Sequence, residues 1–226
     1  MNSRRLLEIG GLIAGVVMVV FGVVAVFMSF DARQTVRDGI KQEYIVGSAD
    51  MNPTDIEAAA KESGLPLTQA EADAKGIPAP ISLPSCDVAE QPIETGADAR
   101  CFAEYMRIHA LEGTGGLTYA QMGRFVAKAN PEDPKGTSDP AAALTDDEGN
   151  PVSNAARNTW VNETALSTAL NVSYMADNLA VFALVVGVAL LLVGIGLVIL
   201  ALAVFGRAPA EAPAAAPAGS AAPAAG

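Results

Sequence analysis

The chain has one histidine, His109, in 226 residues, and that scarcity removes several chemistries at once. No paired-histidine metal motif can be written, and a lone imidazole lacks the partners that general-base catalysis or metal binding require. Cysteine is nearly as rare, with only Cys86 and Cys101. Together with His109 they make three conceivable zinc ligands, short of the usual four and without a close pair such as C-x2-C. There is no G-x-S-x-G and no Walker lysine, and Gly113-Thr114-Gly115-Gly116 lacks the spacing of a dinucleotide fingerprint. Charge is missing in two places: Ile9 to Phe30 and Leu179 to Phe205 contain no charged residue.

Those two runs hold much of the apolar content, which is 51% of the chain. At 1.5 Å rise per residue, 22 and 27 residues make helices about 33 and about 40 Å long, enough to cross a hydrocarbon core of about 30 Å. Both read as transmembrane helices. The first has a competing reading as a cleaved signal peptide, since Arg4 and Arg5 precede it and Val23-Val24-Ala25 resembles a cleavage site. The apolar run continues through Val26, Phe27, Met28 and Phe30, which favours an uncleaved anchor. Between the runs, residues 31–178 carry 11 basic and 23 acidic residues, a net of −12. This acidity argues against nucleic acid or an anionic lipid surface as partner of that segment, and no nucleic acid is expected. Both cysteines fall within it, as expected of one disulfide in an oxidising compartment, worth roughly 3 kcal/mol for a closed segment of about 15 residues. Both termini are therefore expected in the cytoplasm, and the segment outside.

The first apolar helix is expected to continue to about Tyr44, because Val36, Ile40 and Tyr44 or Ile45 keep helical spacing. Asn52 with Pro53, Thr68 with Glu71 and Thr95 with Asp98 are helix-start signals, and Gly64, Gly76 and Gly113 to Gly116 are stops. Pro78, Pro80 and Pro84 mark an extended crossing. A further helix from Thr118 to about Ala129 is expected, then a polar, mobile loop over 130–152 whose Asp146, Asp147 and Glu148 read as solvated. With Ser153 as cap, one helix runs from Asn154 to Phe205. Its outer half sets Trp160, Leu166, Leu170 and Tyr174 near one side, a possible interaction face. Residues 206–226 are Ala and Pro of low complexity, read as a disordered tail.

Within "CFAEYMRIHALEGTGG", Phe102, Tyr105, Met106, His109 and Leu111 share or flank one side, the pattern of an amphipathic core helix with a half-buried histidine. In the apolar runs, Gly11, Gly15 and Gly22 form a smooth stripe, and Gly187 and Gly194 repeat the seven-residue spacing. Such stripes let helices approach closely in lipid, either with each other or with another protein.

The stretches "MNSRRLLEIGGLIAG", "CFAEYMRIHALEGTGG" and "NAARNTWVNETALSTALN" together resemble a group of uncharacterised two-helix membrane proteins of actinobacteria. The likeness covers nearly the whole chain except the tail. Members often bear the label aromatic ring-opening dioxygenase. An extradiol iron site of the facial kind takes two histidines and a carboxylate, so with one histidine here the resemblance carries over no catalytic residue.

The expectation is a mainly α protein: a cytoplasmic N-terminus (1–8), a transmembrane helix (9–30), an extracytoplasmic helical bundle-like domain with one disulfide (31–178), a second transmembrane helix (179–205) and a cytoplasmic tail (206–226). No catalytic, cofactor-binding or metal residue is assigned and no cofactor is expected. The expected role is a non-catalytic interaction or accessory component of a cell-envelope assembly in the plasma membrane. Its partners would be the lipid bilayer and an envelope membrane protein or further copies of itself. The alternatives are an extracytoplasmic sensor or ligand-binding module and, third, the dioxygenase.

Overall fold

A computed structural model describes residues 3–205. The protein is mainly helical: α1 (Ser3–Lys41), α2 (Pro53–Glu62), α3 (Gln69–Ala74), α4 (Gly96–Gly113) and α5 (Ala155–Leu200), with 3-10 turns at Tyr119–Gln121 and Pro140–Ala142 and a π-type turn at Ala201–Phe205. Both α1 and α5 are long and apolar enough to cross a membrane. The tail at 206–226 lies outside the described residues. The chain divides into two compact units, one comprising the chain up to Val26 and from Val186 onward, the other Phe27–Val185.

In the first unit the helical segments are antiparallel and meet through glycine. A Cβ on Gly15 would lie 2.8 Å from the Gly194 carbonyl oxygen, and one on Gly194 would lie 2.7 Å from that of Gly15. Gly22 and Gly187 oppose each other in the same way, at 2.8 and 3.0 Å. Gly11 is less crowded, 3.3 Å from the Ala201 Cβ. Only glycine permits backbones this close, and the seven-residue spacing on each helix returns the smooth face after two turns. Outward, Val16, Val20, Phe21, Leu192 and Ile195 are exposed.

The second unit is built around α4. Cys101, Tyr105, Ile108 and Leu111 follow helical spacing and are buried with Ile56, Ile93, Trp160 and Leu170. Local chemistry sets the helix starts. Asn52 accepts from the Thr54 and Asp55 N–H groups with Pro53 in the first helical position, and reciprocal capping boxes join Thr68 to Glu71 and Thr95 to Asp98. The disulfide Cys86–Cys101 fastens the Pro-bearing crossing to α4, and the Tyr105 hydroxyl donates to the Cys86 carbonyl at 2.6 Å.

Three local expectations are corrected. First, α1 stops at Lys41, because Tyr44 turns at φ 51 and the following residues pair with 89–93: the Gly47 N–H donates to Gln91 and the Ile93 N–H to Ile45. Second, Thr118 opens only a 3-10 turn, not a helix to Ala129, and 123–153 is not an irregular loop. Phe125 exchanges both backbone hydrogen bonds with Thr137, and Val126 bonds to Val152 and Leu144. β-branched and aromatic side chains suit extended pairing, and a Cβ on Gly123 would lie 2.2 Å from the Thr137 carbonyl carbon. Asp146 closes one turn by accepting from the Glu148 and Asn150 N–H groups. Third, Asn154 rather than Ser153 caps α5, with its Oδ1 accepting from the Ala156 N–H.

Candidate functional site

His109 sits near the end of α4 with a carboxylate at each ring nitrogen. Nδ1 is 2.9 Å from Glu112 Oε2 and Nε2 is 3.6 Å from Asp50 Oδ2. Ser48 donates to Asp50, and this hydrogen bond is the main reason that the Asp50 carboxyl is held below its ordinary value, with His109 adding a smaller pull. The order Ser48, Asp50, His109 is not that of a nucleophilic triad, since the hydroxyl bonds to the carboxylate rather than to the imidazole. Nor do these residues fit an iron centre: the carboxylates approach opposite ring nitrogens, so the three side chains do not converge on one point. Among the described residues no group of three His, Cys, Asp or Glu is arranged to hold a metal ion. The cluster instead ties α4 to the turn at 48–51.

The face on α5 is divided. Trp160 is only 3% exposed, with its indole N–H donating to the Leu117 carbonyl at 2.6 Å. Leu170 is buried as well, and Tyr174 lies beneath the Arg100 guanidinium at 4.9 Å. These three are engaged by this chain's own α4 and the segment after it. Leu166 is exposed and lines a cavity of about 600 Å³ with Ile40, Ile45, Phe102, Met106 and Leu170, where Glu43 is the one charged side chain. The volume falls in the range of small-molecule sites. Beside it in sequence, Tyr44 and Val46 are exposed large side chains.

The glycines of the two apolar runs all lie in the first unit, where Gly15 faces Gly194 and Gly22 faces Gly187. Their close faces are thus filled from within the chain. Arg107 was not singled out from sequence. Its guanidinium lies 5.3 Å over the Trp160 ring, an apposition of residues 53 positions apart that no local pattern announces.

Compared with known protein families, curated proteins and solved structures, the chain has no match. Its described residues bring together apolar concavities, guanidinium groups over aromatic rings and a histidine flanked by two carboxylates.

Proposed function

We propose that the protein is a two-span plasma-membrane protein that holds its 31–178 segment outside the cytoplasm, as a non-catalytic interaction component of a cell-envelope assembly. The two charge-free runs, the acidic segment between them and the single disulfide support the placement. The observation that carries the role is the exposed apolar surface of the second unit, where Leu166, Tyr44 and Val46 accompany an open apolar cavity. An open apolar concavity with an exposed leucine at its edge supports a docking role. Because the glycine faces and Trp160 are engaged within the chain, the partner is expected on this surface rather than on those residues.

The test is crosslinking in the native host, purification in mild detergent and mass spectrometry of what is retained. A recurrent envelope protein, lost on Leu166→Asp, is expected. Return of the chain alone as a monomer contradicts the proposal. A second reading, an extracytoplasmic ligand-binding module, is favoured by the same cavity; a thermal shift with a small apolar molecule, abolished by Leu166→Asp with no protein retained, supports it over the first.

A further inference from the structure

A separate cavity of about 600 Å³ lies in the second unit between the Pro-bearing crossing and the C-terminal half of α4. Ile77, Pro80, Ile81 and Leu111 give it apolar walls, and Arg107 is its one charged side chain. Residues 31–178 contain 23 carboxylates, yet among the described residues none pairs with Arg107. Its acidic neighbours on α4 are engaged: Glu104 holds Arg100 at 3.0 Å and Glu112 holds His109 at 2.9 Å.

The guanidinium also has a fixed neighbour. It lies 5.3 Å over the ring of Trp160, which is buried and anchored through its indole N–H to Leu117. The contact sets a cation on an aromatic face, and among the described residues no carboxylate takes the N–H fork that matches one. Gln121, also at the cavity, uses Oε1 to accept from the Thr118 N–H and hydroxyl at 2.8 and 2.9 Å, which leaves its amide NH2 as a donor. Two sets of unspent donors therefore border apolar walls in which Pro78 and Pro80 offer no N–H.

We propose that this cavity binds a small carboxylate with a compact apolar body. Arg107 takes the carboxylate with the Gln121 amide beside it, and the body lies against Ile77, Ile81 and Leu111. The site is distinct from the apolar cavity on α5 and does not depend on a protein partner.

Trp160 is the chain's only tryptophan, so its emission reports on Arg107 directly. The experiment titrates the full-length protein in mild detergent with cyclohexanecarboxylate and, separately, cyclohexanecarboxamide, at fixed pH and ionic strength. A saturable change with the acid, roughly tenfold weaker with the amide, is expected, since a charge-assisted bidentate pair is lost. Arg107→Gln should abolish the preference for the acid, and Gln121→Ala should weaken binding severalfold. If Arg107→Gln fails to fold, Arg107→Lys keeps the charge without the fork and should lose most of the affinity. Equal responses to acid and amide, no saturable response to the acid, or an Arg107→Lys variant that binds like the native protein would each overturn the proposal.

Discussion

Tyr105 shows how one residue couples packing to pH. It is fully buried, it donates to the Cys86 carbonyl, and burial pushes its hydroxyl up to about 12, with the carboxylates of Asp87 and Glu104 adding to the shift. The folded state thus favours the neutral phenol. Its contribution is complete below the unfolded value of about 10 and is lost as pH rises toward 12. A circular-dichroism titration should therefore show the second unit weakening in that window. Tyr105→Phe should move the alkaline transition upward while costing about 1 kcal/mol at neutral pH, and an unmoved transition would exclude Tyr105 as its source. Asn154 is a second single-residue hinge of stability. It is buried, caps α5 through Oδ1, and donates through Nδ2 to the carbonyls of Gly123 and Pro134 at 3.1 and 2.9 Å. Asn154→Ala should cost about 2 kcal/mol in a denaturant melt, more than an exposed cap, because two part-buried carbonyls also lose their donor. The caps at Asn52, Thr68 and Thr95 were legible in the sequence because their partners lie two or three residues away. The role of Asn154 was not, since its carbonyl partners are 31 and 20 residues distant.

At the scale of elements, the glycine contacts of α1 and α5 carry a sharp expectation. Gly15→Val places side-chain atoms against the backbone of Gly194 and Val198, whereas Gly10 has nothing within 4 Å of its Cβ position. Gly15→Val should destabilise the detergent-solubilised protein by about 1 to 3 kcal/mol in a thermal melt, and Gly10→Val far less. Equal melting of the two variants would show that the close approach contributes nothing. The seven-residue spacing was visible in sequence, but a smooth stripe states how near a neighbour comes and not which neighbour it is. The same limit explains the segment after α4. Thr118 carries a genuine local start signal, and it opens a short turn. Beyond it the pairing of Phe125 with Thr137 and of Val126 with Val152 and Leu144 depends on residues too far along the chain for periodicity to reveal. Extended pairing won there over a weak helical pattern interrupted by Gly123.

For the whole molecule, the coarse reading came from long-range composition: two charge-free runs, an acidic segment between them and two cysteines that form one disulfide. The Arg107 cavity was illegible because the crossing, α4 and the turn after it supply its walls from three stretches of chain. The two-span proposal is tested most directly by an impermeant maleimide applied to intact cells that produce the Asp147→Cys variant. Position 147 is exposed, lies within the 31–178 segment and is not part of the proposed docking surface, while Cys86 and Cys101 are oxidised together. The expected result is one adduct on intact cells without reductant, absent from the unsubstituted protein, and further labelling at the half-buried Cys86 after an impermeant reductant is added. Labelling that appears only once the cells are lysed would place the segment in the cytoplasm and contradict the proposed arrangement.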